Sequence, residues 1–261
     1  MEFEKWLKNT IENIKKEILN ERDFSFYVND ITLFDCGELK IWKKIGRDET
    51  RVNGNTTTVT LAPIVSEMVT PSPIRLKFDN KYQTLYSTDQ TRNTIVNIAK
   101  TVSIEENKTV IQILSNGAKT FGARTNILTY DALQPAIEYI KPGGNYPDTL
   151  LINPFHFPKM IRQNGFTPYS KLSPDFVALK GRHFKGLFNE LSVYQTPNLA
   201  ENEIILYKKQ YVEVKTTPLD LNFNSVQNPE SLYFSEDLYV WSVDDFAIAK
   251  VSLEKTANIG N

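Results

Sequence analysis

Residues 147–154 read Pro147-Asp148-Thr149-Leu150-Leu151-Ile152-Asn153-Pro154, and this stretch predicts a strand followed at once by a helix. The run 149–152 is short and apolar, which is typical of a central strand that is buried on both faces of its sheet. Asn153-Pro154 then predicts the start of a helix over residues 155–163. The step therefore belongs to a mixed α/β region.

Secondary-structure signals flank this step on both sides. Residues 130–140 predict a helix, which Pro142-Gly143-Gly144 ends. Downstream, the apolar patterning predicts several further strands. These strands are 184–193, 203–207, 211–214 and 231–234, followed by 238–243 and 246–252 as a closing β pair.

Two helices and a strand are predicted upstream. Apolar residues recur at helical spacing over residues 3–19, where the other face is charged, and residues 74–85 alternate as a strand does. A second helix is predicted over residues 88–115. Two interpretations of it stay open, because Ser103-Ile104-Glu105-Glu106 matches a capping box at which a helix can restart. If unbroken, the helix is ~40 Å long at ~1.5 Å per residue.

Residues 38–69 predict one long hairpin. Asn53-Gly54 is a strong signal for its turn, because both central residues of a type I′ turn need positive φ. The return arm, residues 55–68, contains the β-branched run Thr56-Thr57-Thr58-Val59-Thr60-Leu61. Both arms are too polar to form a core, so we expect the hairpin to project from the body.

Composition excludes several classes of protein. The 261 residues are 41% hydrophobic and 23% charged, as in ordinary globular proteins, so a wholly disordered chain is excluded. The formal net charge of −1 gives no overall positive field for nucleic acid, although a local patch stays open. A single cysteine, Cys36, rules out an internal disulfide framework, and no apolar run is long enough for a membrane span.

Catalytic and metal-binding signals are weak. His156, His183 and Cys36 lack the spacing of metal ligands, and core or interface positions are the simpler interpretation. Gly143-Gly144 predicts a turn and not a phosphate-binding loop. No serine lies in a nucleophile-elbow context. We therefore expect a protein that is not an enzyme and needs no cofactor or metal.

The order of these elements resembles the HK97 fold of tailed-phage major capsid proteins, which encapsulin shells share. The order is an N-terminal helix, a long hairpin, a strand, a long helix and then the mixed region around the Leu151-Ile152-Asn153-Pro154 step, followed by Tyr194-Gln195-Thr196-Pro197-Asn198-Leu199. The resemblance implies an α+β shell-protein fold. Its parts would be the N-terminal helix and arm (1–37), extended hairpin loop (38–70), peripheral domain with a spine helix (71–129), axial domain (130–215) and return strands (216–261).

The resemblance also implies a function. A shell protein of this kind assembles into pentamers and hexamers of an icosahedral virion capsid, in the host cytoplasm, and encloses DNA without reading its sequence. Scaffold, portal or cargo proteins would be its partners, and no membrane would be involved. Two alternatives stay open, namely an encapsulin-type compartment that encloses a cargo enzyme, and an enzyme whose site the sequence does not reveal.

The assembly contacts are expected in two places. One is the N-terminal helix, which we predict to serve assembly or docking and to lie outside the subunit core. The other is the hairpin tip. The candidate residues are Phe3, Trp6, Leu7, Arg47, Asp48, Arg51, Asn53 and Gly54.

Covalent cross-linking is not expected. Some relatives join a lysine of the extended loop to an asparagine of a neighbouring subunit, with the help of a buried glutamate. Here residues 46–75 contain arginines but no lysine, and arginine stays protonated and is not nucleophilic at neutral pH. Lys40, Lys43 and Lys44 lie at the base of the outgoing arm, the wrong place for that reach. An alternative stays open, in which the loop boundaries differ by several residues and Lys43 or Lys44 comes into reach.

Overall fold

The computed structural model describes residues 2–22, 24–30, 41–44, 50–52, 59–61, 66–69, 74–81, 88–141, 146–216, 220–223 and 231–254. Its helices are α1 (Glu2–Glu21), α2 (Thr88–Gly117), α3 (Tyr130–Ile140), α4 (Phe157–Met160) and α5 (Pro174–Lys180). Its first strands are β1 (Asn29–Asp30), β2 (Ile41–Lys44), β3 (Thr50–Val52), β4 (Val59–Leu61), β5 (Ser66–Val69), β6 (Ile74–Lys81), β7 (Lys119–Ala123) and β8 (Thr149–Ile152). The others are β9 (Phe166–Pro168), β10 (Phe184–Phe188), β11 (Leu191–Gln195), β12 (Glu203–Tyr207), β13 (Val212–Thr216), β14 (Asp220–Phe223), β15 (Ser231–Ser242) and β16 (Ile248–Leu253).

The apolar run 149–152 is the central strand of a seven-stranded sheet, as the sequence predicted. The strand order is β7-β16-β12-β8-β11-β10-β9. Strand β8 is parallel to β11 and antiparallel to β12, and all four of its residues are buried. A strand that is paired on both edges and covered on both faces cannot carry polar side chains without cost, which explains its composition.

Alternate side chains of this sheet enter two separate cores. Leu150 and Ile152 contribute to the core that includes Leu133 and Ile140 of α3. Leu151 points to the other face, into a second core that α2 shares. The sheet is therefore a middle layer between α3 and a layer formed by α2 and the segment that follows α1.

The chain next to β8 differs in detail from the sequence prediction. The helix expected over residues 155–163 is a 3₁₀ turn, Pro154–His156, followed by the short helix α4. The single strand expected over 184–193 is a hairpin of β10 and β11, in which Phe188 pairs with Leu191. Glu190, in the turn between the two strands, has a φ of 72°. Positive φ favours glycine, so a glutamate at this position gives no sequence signal for the turn.

The second sheet has five strands built around β15. Strand β15 pairs with β6 along one edge and with β14 and β13 in succession along the other, and β1 lies parallel to β13. The predicted closing β pair of 238–243 and 246–252 is therefore wrong, because β15 and β16 belong to different sheets. Strand β16 instead lies between β12 and β7. In this position its apolar residues are buried in the core.

The long hairpin is present as two short ladders. Strand β2 pairs with β5, and β3 pairs with β4, both antiparallel. The predicted two-residue turn at Asn53-Gly54 would pair Val52 with residue 55, but Val52 pairs with Val59. The turn prediction is therefore wrong in length, and residues 53–58 lie outside the described part.

The division of the chain into five parts remains a prediction, although β7 and β16 both lie in the sheet of β8.

Relief of the strained turn should stabilise the subunit. Asn189 and Glu190 both have positive φ, the geometry of a two-residue hairpin loop for which glycine is favoured at the second position. We expect Glu190→Gly to raise the free energy of unfolding by about 1 kcal/mol, measured by urea denaturation. Glu190→Ala removes the same carboxylate without relieving the backbone, so an equal gain in that control would contradict the explanation.

Candidate assembly elements

The N-terminal helix belongs partly to the subunit core. Helix α1 spans Glu2–Glu21 and packs along α2. Ile14 and Ile18 are buried, as are Ala99 and Val102 of α2. The expectation that the whole helix lies outside the core is therefore wrong for its second half, because the apolar stripe has a partner within the same chain.

Helix α2 is continuous over Thr88–Gly117, which settles the two interpretations left open by the sequence. Ser103 does not cap a new helix, because its Oγ donates a hydrogen bond to the carbonyl oxygen of Glu21 at 2.6 Å. Glu106, the other end of the apparent capping box, is buried against Arg22. Both polar groups therefore serve the contact between the two helices.

Arg22 and Glu106 form a buried ion pair. Arg22 Nε donates to Glu106 Oε2 at 3.0 Å, and a second guanidinium nitrogen donates to Oε1. The side chains are 7% and 0% exposed. The Arg22 guanidinium also lies 5.0 Å from the centre of the Phe24 ring. The two parallel bonds fix the guanidinium plane, so the pair defines the position of the C-terminal end of α1 on α2.

Sequence reasoning did not single out this pair, although Glu106 carries a signal. The buried positions Ala99, Val102 and Val110 of α2 follow helical spacing, and Glu106 falls within the same stripe. A carboxylate at such a position needs a cation or a set of donors, because an unpaired buried charge is very costly. The sequence alone does not say which of the 30 basic residues supplies it.

The segment after α1 is held by further buried polar contacts. The Tyr27 hydroxyl donates to Asn107 Oδ1 at 2.7 Å, and the Tyr207 hydroxyl donates to the carbonyl oxygen of Tyr27 at 2.6 Å. Burial raises the pKa of Tyr207 well above its usual value, so this hydroxyl remains a donor. The aromatic segment that follows α1 is therefore part of the core.

The N-terminal segment also contacts the chain around Gly181. Arg182 donates to Glu21 Oε2 at 3.3 Å and to the carbonyl oxygen of Asn20 at 2.8 Å. A Cβ atom on Gly181 would lie 2.1 Å from Cδ1 of Phe26, and the φ of this glycine is 79°. Only glycine therefore permits the close approach of these two segments.

The far end of α2 is tied to the seven-stranded sheet. Lys250 Nζ donates to Glu203 Oε1 at 3.0 Å and to Ser115 Oγ at 3.1 Å. Ser115 Oγ donates in turn to Glu203 Oε2 at 2.8 Å. The three groups satisfy one another across α2, β12 and β16, and this supports a structural role for them.

The predicted assembly residues are placed only in part. Phe3, Trp6 and Leu7 lie in the first half of α1, and their side chains are outside what the structure describes. Arg51 lies on β3 opposite Thr60. The remaining candidates lie outside the described residues, and these are Arg47, Asp48, Asn53 and Gly54. The roles of all eight therefore stay predictions.

The hairpin ladders leave strand edges without partners within the described residues. Each ladder has two strands, so each has two outer edges that pair with no other described strand. In the register of the ladder farther from the turn, Lys43 lies opposite Glu67 and Lys44 lies opposite Ser66. Unpaired strand edges are sites at which another chain can add.

Two of the three candidate metal residues, His156 and His183, are described by the structure, and Cys36 lies outside the described residues. In the part of the chain that the structure describes, no group of three His, Cys, Asp or Glu side chains could hold a metal ion. His156 is buried, its Nε2 donates to the carbonyl oxygen of Glu201, and burial lowers its pKa. No helix of the described part is long and apolar enough to cross a membrane.

The fold of this chain is similar to that of solved shell structures. The virus-like particle from Pyrococcus furiosus matches with a TM-score of 0.59 at 15% identity, over 94% of this chain and 98% of that chain. The capsid of the native GTA particle matches with a TM-score of 0.59 at 10% identity, over 89% and 90%. The SrpI encapsulin of Synechococcus elongatus PCC 7942 matches with a TM-score of 0.52 at 14% identity, over 72% and 75%.

The chain therefore has the α+β HK97-like shell-protein fold, and this confirms the resemblance predicted from the order of elements. No family model matches the chain, and no curated protein matches it in sequence. The fold is recognisable although identity is low, because the arrangement depends on apolar patterning and not on particular residues.

The buried ion pair should contribute little net stability but should be costly to break. We expect Arg22→Met and Glu106→Leu each to lower the free energy of unfolding by about 3–5 kcal/mol, since each leaves one buried charge alone. The double replacement should recover most of that loss, as measured by urea denaturation of the unassembled subunit.

The exposed pair of Lys141 and Glu138, with Nζ and Oε1 3.1 Å apart, is the matched control. Lys141→Met with Glu138→Leu should leave the free energy of unfolding nearly unchanged, singly or together, because exposed ion pairs contribute little. The expectation is contradicted if the double variant loses as much free energy of unfolding as the Arg22 and Glu106 single variants together. Such additivity would mean that the two side chains do not interact.

Proposed function

We propose that the protein is a structural subunit that self-assembles into a closed icosahedral shell around viral DNA. The observation that carries this proposal is the fold, which matches shell-forming structures over about nine-tenths of both chains. Such a subunit acts through its contacts with copies of itself and needs no catalytic group or cofactor. Its place would be the capsid of a virion assembled in the host cytoplasm.

The hairpin supports self-association as the mode of action. Two-stranded ladders are marginal in water by themselves, and their outer edges carry unpaired backbone donors and acceptors. A neighbouring subunit can satisfy those groups and cover the arms. Arg47, Asp48, Arg51, Asn53 and Gly54 near the tip would make such contacts in pentamers and hexamers.

The first half of α1 is the second proposed assembly element. The second half is fixed by Ile14, Ile18 and the buried pair of Arg22 with Glu106, so the first half extends from a rigid anchor. In this position Phe3, Trp6 and Leu7 would contact a neighbouring subunit, a scaffold or an enclosed partner.

An encapsulin-type compartment that encloses a cargo enzyme is the alternative function. The match to the SrpI encapsulin and an amphipathic N-terminal helix favour it. The contents of purified particles separate the two functions. DNA that is protected from nuclease supports a capsid, and a co-purifying protein without protected DNA supports the compartment.

Electron microscopy of the purified protein tests the shared part of both proposals. Closed shells of uniform size are the expected result. A protein that remains monomeric or dimeric over a range of concentration and salt would overturn both, since neither function exists without a shell.

Shortening the hairpin should abolish closure without unfolding the subunit. Removal of residues 48–60 takes away β3 and all of β4 except Leu61, and this upper ladder pairs with no other described strand. We expect a folded protein that forms only small oligomers in light scattering, because obligate interfaces of this type bury roughly 2,000 Å² or more. Full-sized shells from this variant would remove the hairpin from the assembly proposal.

Mature particles should contain no covalent cross-links. Lys43 and Lys44 lie in the lower ladder, and the upper ladder of β3 and β4 comes between them and the turn. The lysines are therefore placed away from the part of the loop that would reach a neighbour. A boiled denaturing gel should show one band near 30 kDa, whereas a ladder of higher multiples would contradict this.

A further inference from the structure

One end of the seven-stranded sheet is markedly basic. Residues 149–188 contain six lysines and arginines and a single acidic residue, Asp175, although the whole chain has 30 basic and 31 acidic residues. This stretch runs from the start of β8 to the end of β10 and forms the sheet margin at which β9 is the edge strand. The charge asymmetry is therefore a property of one region of the molecule.

These basic residues lie on the elements next to β9, at both faces of the sheet. Helix α4 precedes β9, and the Phe157 ring lies 5.9 Å from the Phe166 ring of that strand. Helix α5 returns to β10 through Phe176, whose ring lies 5.9 Å from that of Phe184. The basic residues flank β9 on both sides and define what we call the basic end, namely Lys159, Arg162, Lys171, Lys180 and Lys185.

These five cations have no acidic partner among the described residues. The sixth basic residue of the stretch, Arg182, is bonded to Glu21. Elsewhere Lys108, Lys141 and Lys250 each pair with a glutamate. An excess of unpaired like charges in one place creates a positive potential that attracts anions.

Two exposed aromatic rings belong to the same stretch as these cations, and one of them contacts a lysine. Phe155 is 44% exposed, and Lys159 Nζ lies 5.0 Å from the centre of its ring. Tyr169 is 49% exposed and precedes Lys171 by two residues. Cations interleaved with exposed aromatic faces are the usual surface for nucleic acid, because phosphates meet the charges and bases stack on the rings.

An open cavity of about 510 Å³ adjoins this surface. Lys159 and Arg162 line it together with Gln163 and Asn164, which can donate hydrogen bonds to phosphate oxygens. Asp131 at the start of α3 lines the same cavity and opposes anion binding there. The cavity therefore holds both the groups that would bind a phosphate and one that weakens the binding.

We propose that the basic end binds the phosphate backbone of nucleic acid without reading its sequence. An acidic polypeptide would use the cations but not the exposed rings, so nucleic acid fits the surface better. This binding adds a further interaction to the proposed shell function and does not require that shells form.

The test uses the full chain and a fluorescent thymidine oligonucleotide of about 30 nucleotides, with a duplex of equal length as a second probe. In Lys159→Gln with Arg162→Gln, the slope of log affinity against log salt should become shallower by about 2, one for each cation that no longer meets a phosphate. At ~0.1 M salt the affinity should then fall at least about tenfold. Lys16→Gln with Lys100→Gln, two exposed lysines of α1 and α2, is the matched control and should leave affinity and slope unchanged.

Two further variants make the test more specific. Asp131→Asn should raise the affinity severalfold, because it removes the carboxylate from the cavity. Phe155→Ala should weaken single-strand binding about fivefold or more and leave duplex binding unchanged, because only unpaired bases stack on the ring.

Three results would overturn the proposal. These are equal losses in the control, no binding of either probe, and poly-glutamate binding as tight as that of the oligonucleotide, which would assign the surface to acidic polypeptides. Light scattering on the same samples reports assembly separately. A protein that binds DNA through the basic end but never forms shells would refute the shell function and leave this inference standing.

Discussion

Burial of both faces of β8 is the constraint on which the rest of the structure depends. The strand is paired on both edges, and its side chains alternate between two cores. One face requires α3 and the other requires α2, so both helices are positioned by the same four residues. Helix α2 then presents its own apolar stripe, and this stripe binds the second half of α1.

A buried ion pair fixes the position of α1 on α2 within that apolar packing. Hydrophobic stripes permit a helix to slide or rotate at small cost, whereas Arg22 and Glu106 are satisfied in one arrangement only. The contacts of Ser103 and Tyr27 reinforce that arrangement. The second half of α1 and the segment that follows it are thus a fixed part of the subunit.

The groups that the subunit does not satisfy internally lie at its margins. Within the described residues, the hairpin ladders have unpaired edges, and the basic end carries five cations without acidic partners. Backbone edges favour another protein chain, and unpaired cations beside exposed rings favour a polyanion. The two margins therefore differ in chemistry, with backbone donors and acceptors at one and positive charge at the other.

Local patterns in the sequence determined much of this protein. The bounds of α3, β8 and β12 and the two arms of the hairpin follow from apolar periodicity and turn residues, which act over a few positions. Only the tertiary structure placed β16 beside β12, extended the hairpin loop beyond Asn53-Gly54 and brought Arg22 to Glu106, 84 residues away. Pairing between distant segments depends on which faces remain to be covered once the central sheet has formed, and no local pattern records that choice.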